Sequence, residues 1–375
     1  NAGIAPEYSE FDLENIKNGV EFVINPNNPS RYITYNQQSI SDQILRDQYL
    51  MQSHNISARG GSEKITHLFS LGYLDQEGVM KVGPDEYKRW NLRSNVSAKI
   101  SEKITLDTRI SYSSEGKERP SRAISGYGLL QQVYQARQRF PIFTPDGKLF
   151  GGAGTSGNNT YAYLTEGGYT NDDFTNLNGI FNLTAKDLIK GFTFRTIYGR
   201  QEERRDYESF SRTVELWDRL APAFYLNNPN SYSTLNRKTT TENFQLLTDY
   251  DVSIAEKHKI HALIGYQWED YRRTSINASA SSLSSNDIPS LNLGDVNSKQ
   301  NSENKITYAN QSVFGRFNYS YDDKYLLEAT IRMDQSSRLS PELRSKWFPS
   351  LSAGWNMHKE AWFSSILPFV SEFKP

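Results

Sequence analysis

Hydrophobic and polar residues alternate in short runs along most of this chain. In the run from Trp90 to Ile100, every second residue is apolar or small, and the residues between them are charged or polar. Side chains in a β-strand point alternately to opposite faces, so each run predicts a strand with one apolar and one polar face. About eleven runs of this kind begin near His54, Ile65, Trp90, Ile104, Asn178, Phe192, Phe244, Ile260, Val313, Tyr325 and Phe348.

The connections between these strands alternate in length. Short turns fall at 60–63, 101–103, 186–190, 256–258 and 322–324. Long polar connections fall at 74–88, 113–176, 201–241, 269–304 and 334–346. In an antiparallel meander, alternate connections lie at opposite ends of the sheet, so all the short turns gather at one end. Outer-membrane barrels have this asymmetry, and Greek-key sandwiches have no reason to keep it. The pattern therefore predicts an all-β, up-and-down antiparallel transmembrane barrel.

The predicted barrel is partial. Most runs are near the ~9–11 residues that a tilted strand needs to cross a bilayer. A barrel must close, because unpaired strand edges are not tolerated in lipid. Eleven strands, with a further one starting near Phe369–Phe373, therefore predict about half of a larger cylinder, with long extracellular loops and short periplasmic turns.

Composition agrees with a barrel and excludes several classes. Only 37% of the 375 residues are hydrophobic, which suits strands with a single apolar face. No apolar stretch approaches the ~18 residues of a transmembrane helix. The net charge of −1, from 42 basic and 43 acidic residues, gives no excess of positive charge that would indicate nucleic-acid binding. The absence of cysteine removes thiolate metal sites and cysteine nucleophiles.

Aromatic residues add a membrane signal. The chain has 23 Tyr, 19 Phe and 6 Trp, and several stand near the ends of predicted strands. Such rings form girdles at membrane–water interfaces, although aromatic residues also favour ordinary sheets. The proposed girdle consists of Trp90, Tyr112, Tyr198, Tyr250, Tyr266, Trp268, Tyr319, Tyr321, Tyr325 and Trp347.

The sequence offers little for catalysis. It contains no Gly-x-Ser-x-Gly elbow, phosphate-binding loop or His-Glu-x-x-His motif. His258 and His261 lie three positions apart along a strand, so they point to opposite faces and do not predict a metal site. Asp249 and Asp251 share a face, where a hydrated wall is favoured over acid–base chemistry. We expect no enzymatic activity, cofactor or metal.

Several longer motifs resemble a known family. They are HNISARGGSEK at 54–64, FSLGYLDQEGVM at 69–80, RWNLRSN at 89–95, FGRFNYSYDDKYLLE at 314–328, RMDQSS at 332–337 and WFPSLSAGW at 347–355. Their order and spacing are similar to those of SusC/RagA-type TonB-dependent transporters of the bacterial outer membrane. The matches extend over residues 54 to 365.

The resemblance implies a 22-stranded barrel plugged by an N-terminal domain. Residues 1–53 would hold the early barrel and first extracellular loop region, and 54–375 the central part of the barrel. The plug and the C-terminal strands would lie outside this chain. The implied function is import of an oligosaccharide or oligopeptide, driven by TonB with ExbB and ExbD through the N-terminal region. A SusD-like lipoprotein would bind at the extracellular face, and outer-membrane lipid would surround the barrel.

The same resemblance suggests two sets of functional residues. Polar-register charges would face the lumen and hold the plug: Arg93, Arg109, Arg195, Asp249, Asp251, Arg316, Glu328 and Arg332, with Gln267 beside them. Aromatic residues in the long connections suit sugar rings or peptide backbones, although packing between loops explains them equally simply. These candidates for substrate or partner contact are Tyr161, Tyr163, Trp217 and Tyr225.

Two other classes share parts of this pattern. A passive porin would show the same strands and lack only the plug. A secreted all-β glycan-binding or adhesion protein would instead pack its apolar strand faces against each other.

Overall fold

The computed structural model describes residues 8–122, 128–135, 139–152, 159–366 and 369–373. Its strands are β1 (Phe22–Ile24), β2 (Tyr32–Thr34), β3 (Met51–Gly61), β4 (Ile65–Glu77), β5 (Glu86–Lys99), β6 (Ile104–Pro120), β7 (Gly168–Lys186), β8 (Phe192–Ser211), β9 (Val214–Trp217), β10 (Pro222–Leu226), β11 (Ser231–Ile254), β12 (His258–Ser281), β13 (Gln300–Tyr321), β14 (Tyr325–Ser336) and β15 (Ser345–Trp355). Its α-helices are α1 (Glu10–Lys17), α2 (Ile40–Ile44), α3 (Leu129–Gln135), α4 (Thr160–Thr165) and α5 (Ala361–Ile366). None of these helices is long and apolar enough to cross a membrane.

Eleven strands form one antiparallel sheet. Its order, β3-β4-β5-β6-β7-β8-β11-β12-β13-β14-β15, follows the chain, and only the β9–β10 hairpin is left out between β8 and β11. Within the described residues, β3 and β15 each pair on one side only. All eleven predicted strands are confirmed, and so is the partial up-and-down barrel.

The predicted alternation of connections is also confirmed. The short links are 62–64, 100–103, 187–191, 255–257 and 322–324. The long links are 78–85, 121–167, 212–230, 282–299 and 337–344. We call the two ends of the sheet the short-connection end and the long-connection end.

Two of the short links reverse the chain with left-handed residues. Ala255 and Glu256 have φ of 50° and 59°, and Asp322 and Asp323 have φ of 52° and 53°. Consecutive positive φ values match the right-handed twist of the flanking strands and so allow very tight hairpins. These turns set the register of the strand pairs that follow.

The register carries one apolar face across the whole sheet. Leu71 pairs with Leu92, Leu92 with Tyr112 and Tyr112 with Leu177, and paired residues share a face. Large side chains on this apolar face are exposed, for example 74% of Leu351. No second sheet covers them in the described part of the chain, and an exposed apolar face of this kind is typical of the lipid-facing side of a membrane barrel.

The proposed aromatic girdle lies on this face. All ten predicted residues fall on the apolar register. The lower aromatic level, near the short-connection end, contains Tyr250, Tyr319, Tyr321 and Tyr325. The upper aromatic level, farther from that end along the strands, contains Trp90, Tyr112, Tyr198, Tyr266, Trp268 and Trp347. Two aromatic levels with aliphatic residues between them mark the two membrane interfaces.

The predicted strand lengths were wrong for the middle of the sheet. β11 and β12 each have 24 residues, so much of the expected 201–241 and 269–304 connections is strand. These extensions lie beyond the upper aromatic level and carry charges on both faces. Arg200, on the apolar register, pairs with Glu242 at 3.1 Å, whereas Arg205, on the polar register, pairs with Asp172 at 2.7 Å. Polar residues on both faces hide the alternation, although the backbone ladder continues.

Residues 8–50 lie at the long-connection end. They form α1, the β1–β2 hairpin and α2, and none of their strands joins the large sheet. The backbone N–H of Tyr32 donates to Asp218 in the β9–β10 hairpin at 2.8 Å, and Phe22 packs edge-on against Phe150 at 6.4 Å. This placement agrees with a segment at the extracellular loop region.

Opposite faces of β15 provide a test of lipid exposure. Leu351 lies on the apolar face and Ser350 next to it on the polar face, and both are exposed. We expect Leu351→Arg to destabilise the folded barrel by about 2–4 kcal/mol, because the charge enters the centre of the bilayer. Ser350→Arg should have little effect. Urea unfolding in lipid vesicles, followed by heat-modifiable gel migration, measures both. Equal effects of the two substitutions would contradict the assignment of the faces.

Candidate functional site

The second register of the sheet is polar, and we call it the polar face. All the predicted lumen residues lie on it: Arg93, Arg109, Arg195, Asp249, Asp251, Gln267, Arg316, Glu328 and Arg332. Their contact with a plug stays a prediction. The charged side chains on this face differ in whether they form ion pairs with other residues of the chain.

Three of the predicted residues meet in one cluster near the short-connection end. Arg195 donates from Nη2 to both carboxylate oxygens of Asp249, at 2.8 and 3.1 Å. His261 Nδ1 lies 2.8 Å from Asp251, and its Nε2 lies 3.9 Å from Asp249. Asp249 is buried, with 8% of its surface exposed. Pairing with a guanidinium offsets the cost of burying this carboxylate, so the cluster stiffens the wall between β8, β11 and β12.

Four other predicted charges have no such neutralisation. Arg93, Arg109, Arg316 and Glu328 are exposed, and none forms an ion pair with another described residue. They belong to four different strands, so they are spread over the polar face. Exposed charges on a wall can pair with a second polar surface at little desolvation cost.

Arg332 is oriented by three neighbours. Its Nε donates to Asp334 at 2.6 Å, its Nη2 donates to Ser312 at 2.9 Å, and its guanidinium lies 5.2 Å from the centre of the Phe314 ring. Gln267 lies next to Ser312 across the β12–β13 pair. These side chains belong to the half of the polar face nearer the long-connection end.

The histidines do not form a metal site. His258 lies on the apolar face and shares a 2.8 Å hydrogen bond with Tyr319, whereas His261 lies on the polar face. Among the described residues, no group of three or more His, Cys, Asp or Glu could hold a metal ion.

The long connections have a hydrophobic core of their own, which we call the loop core. One part contains Ile44, Met80, Leu129, Val133 and Leu164, and the other contains Ala162, Val214, Leu216 and Leu226. The first part joins α2, the 78–85 link, α3 and α4, and the second adds β9 and β10. Helix α3 ends at Gln135, and residues 136–138 lie outside the described residues.

The four aromatic candidates have different surroundings. Tyr161 and Tyr163 pack against the loop core, and Arg122 lies 4.5 Å from the centre of the Tyr163 ring. Trp217 is covered by Lys148 Nζ at 3.8 Å from its ring centre. Tyr225 is 50% exposed. Packing therefore accounts for the first two rings, and Tyr225 is the most available of the four for contact; the role itself stays a prediction.

Sequence reasoning missed an aromatic stack on the polar face. The rings of Tyr271 and Tyr308 are stacked 4.7 Å apart, and the guanidinium of Arg338 lies 3.9 Å from the centre of the Tyr308 ring. Tyr271 lies in the expected 269–304 connection, and Tyr308 lies before the strand predicted to begin near Val313. The β12–β13 register places Tyr271 opposite Tyr308, and no local sequence pattern predicts this pairing.

A carboxylate holds the N-terminal segment together. Asp12 accepts hydrogen bonds from Ser9 at the start of α1 and from the Tyr35 hydroxyl at 2.5 Å. These bonds, that from Ser9 first, hold the pKa of Asp12 below its usual value of 3.8. Burial, together with Asp12, raises the pKa of Tyr35. Both groups therefore keep their neutral-pH charge states, and the contact between α1 and β2 is insensitive to physiological pH.

Comparison with curated proteins finds clear sequence relatives. The chain is 26% identical over 350 residues to TonB-dependent receptor P26 of Formosa agariphila, covering 91% of this chain and 33% of that protein. It is 28% identical over 317 residues to TonB-dependent receptor P3 of the same organism, covering 80% of this chain and 30% of that protein. It is 21% identical to TonB-dependent receptor SusC of Bacteroides thetaiotaomicron, over 87% of this chain and 33% of that protein. The chain thus spans about a third of the curated relatives it matches. No protein-family model matches it.

Solved structures support the fold. The RagAB peptide importer in the closed-closed state aligns over 86% of this chain and 36% of its own, with a TM-score of 0.69 and 23% identity. The outer membrane transporter YddB from Escherichia coli aligns over 82% of this chain and 36% of its own, with a TM-score of 0.51 and 8% identity. A barrel segment with this lipid-facing surface belongs in the bacterial outer membrane. Within that class, the chain is similar in sequence to TonB-dependent receptors that include SusC, and similar in fold to the RagAB importer.

Leu164 tests whether the loop core is a cooperative unit. Its side chain is fully buried between α3, α4 and the 78–85 link. We expect Leu164→Ala to cost about 2–5 kcal/mol of local stability, because it leaves a cavity. Amide hydrogen exchange should accelerate in residues 40–44, 129–135 and 160–165 together, while the large sheet stays protected.

Leu220 is the matched control. It lies in the β9–β10 turn and is 63% exposed, so Leu220→Ala should change exchange by less than about 0.5 kcal/mol. Acceleration confined to residues 160–165 in Leu164→Ala would show that the loops are independent of one another.

Proposed function

We propose that the chain is the central barrel of an importer that takes up a nutrient oligomer, an oligosaccharide or oligopeptide, by TonB-dependent transport. The main support is the pairing of a lipid-facing apolar face with a charged polar face in one register, in a chain similar to TonB-dependent receptors. In this proposal the polar face lines the lumen, and TonB, with ExbB and ExbD, acts through an N-terminal plug. The barrel binds and gates the solute and transforms nothing chemically.

The exposed polar-face charges would contact the plug or the passing solute. Arg93, Arg109, Arg316 and Glu328 are free to exchange partners, whereas the Arg195–Asp249 pair is already satisfied. Weak, exchangeable pairs allow a plug to be held at rest and displaced when TonB pulls on it. We therefore assign the first four residues to plug or solute contact and Arg195, Asp249 and Asp251 to wall stability.

The extracellular partner in this proposal is a SusD-like lipoprotein. The loop core gives the long-connection end a firm surface, and rigid surfaces lose less entropy on binding. On the β9–β10 hairpin, the side chains of Leu220, Phe224 and Tyr225 are exposed. RagAB, one of the similar structures, is described as a peptide importer. We place the lipoprotein on this end of the barrel, with Trp217 and Tyr225 near the contact.

The two alternative classes are a secreted all-β binding or adhesion protein and a passive porin. A secreted binding or adhesion protein needs its apolar faces covered by protein, and the exposed apolar face argues against it. A passive porin would have the same sheet. The similarity to TonB-dependent receptors favours active import.

Uptake with and without energy coupling tests the proposal. We expect that a strain relying on the complete receptor for growth on its nutrient oligomer loses growth and uptake when TonB is deleted. Deleting the receptor should give the same loss, because both remove the active route.

Growth on the corresponding monomer is the control, since small solutes enter through general porins. Uptake of the oligomer that persists without TonB and still requires the receptor would establish a passive channel and refute active import.

A further inference from the structure

An open cleft of about 350 Å³ lies on the polar face near the long-connection end. It is formed by β12, β13, β14 and β15 and the 337–344 link. Its lining includes Gln267, Asn310, Arg332, Arg344, Lys346 and Phe348. In the proposed barrel this position is the inner wall just below the mouth, where an entering solute first meets the lumen.

The cleft has positive charge that the surrounding protein does not neutralise. Arg332 is paired with Asp334, and Glu269 accepts a hydrogen bond from the neutral amide of Asn310 at 3.2 Å. With Arg344 and Lys346, the lining has three cationic and two anionic side chains, a net charge of +1. Arg344 donates from Nε to the backbone carbonyl of Leu339 at 3.1 Å, and neither it nor Lys346 forms an ion pair with a described residue. An excess of positive charge, with Arg344 and Lys346 both outside ion pairs, favours an anionic ligand group.

The remaining lining suits a hydroxylated ring. Phe348 on β15 lies opposite Arg332 on β14 in the strand pair. Its side chain is 54% exposed and offers a flat apolar surface. The amides of Gln267 and Asn310 supply donors and acceptors for hydroxyl groups. A peptide would need apolar pockets for its side chains, whereas this lining is mostly amide, hydroxyl and charged.

We propose that this cleft binds an acidic sugar unit, one that carries a carboxylate or sulfate group, within an imported oligosaccharide. Arg344 and Lys346 hold the anion, Phe348 stacks on the sugar ring, and the amides bind its hydroxyl groups. The inference rests on the proposed function, because it takes the polar face as the solute path. It narrows the substrate to anionic glycans.

Calorimetric titration of the complete receptor, purified in detergent, tests this assignment. The probes are an oligogalacturonide, a sulfated agaro-oligosaccharide, neutral maltopentaose and pentaglutamate. We expect at least one acidic oligosaccharide to bind at least ~10-fold more tightly than the last two, as hydrogen bonds to charged groups imply. The preference between the first two identifies carboxylate or sulfate as the anion. Added salt should weaken this binding.

The double variant Arg344→Gln/Lys346→Gln should lose ~10-fold or more of the affinity for that oligosaccharide. Lys305→Gln is the matched control, because Lys305 lies on the opposite register of β13 and pairs with Glu303 at 2.8 Å. It should bind like the unaltered protein. Heat-modifiable gel migration verifies that all three proteins are folded.

Three results would overturn the assignment: equal affinity for maltopentaose, preference for pentaglutamate, or unchanged affinity in the double variant. Each of these leaves TonB-dependent uptake untouched, because uptake of a neutral or peptide nutrient would still require the receptor. Conversely, uptake that is independent of TonB would refute active import while the measured acidic-sugar affinity stood.

Discussion

The membrane-spanning sheet of this molecule depends on the need to pair backbone N–H and C=O groups inside lipid. An unpaired group there costs several kcal/mol, so the chain must run as hydrogen-bonded strands across the membrane. Because side chains alternate along a strand, a continuous ladder also fixes which residues meet lipid. The register keeps Ile264, Gly315 and Ile331 on one face and Leu263, Arg316 and Thr330 on the other. A slip of one residue would place Arg316 in the bilayer.

Outside the membrane a different force organises the chain. Water surrounds the long connections, so apolar burial stabilises them as it does a soluble domain. Leu164 and Leu216 are fully buried there, whereas Ile264 and Leu351 on the barrel remain 69% and 74% exposed to the surroundings. The same residue types are therefore inside in one region and outside in the other. This inversion at the upper aromatic level separates a lipid-solvated wall from a loop region with its own core.

The sequence predicts the strands well where one face is apolar. The run from Trp90 to Ile100 alternates clearly, and β5 follows it closely. The prediction of strands fails beyond the membrane, because apolar and polar residues no longer alternate there. Arg200 and Arg205, for example, lie on opposite faces of β8 and are both charged. The ladder continues there through backbone bonds that any residue makes.

The candidate site was predictable only in part. The polar register follows from alternation, so residues such as Arg316 could be assigned to it in advance. Which charges are neutralised depends on strands far apart in sequence, as with Arg195 and Asp249. The loop aromatics were harder still. Tyr163 is partly buried against a cluster that includes Val214 and Leu216, about fifty residues away, and no local pattern encodes this packing.

The most direct test of this account uses the absence of cysteine from the chain. Single cysteines introduced along β13, from Ser312 to Asn318, can carry a spin label in the complete receptor in lipid vesicles. The account predicts that labels at 313, 315 and 317 are accessible to oxygen dissolved in lipid. Labels at 312, 314, 316 and 318 should instead be accessible to a water-soluble nickel chelate. Accessibility without a period of two, or with the two sets exchanged, would contradict it.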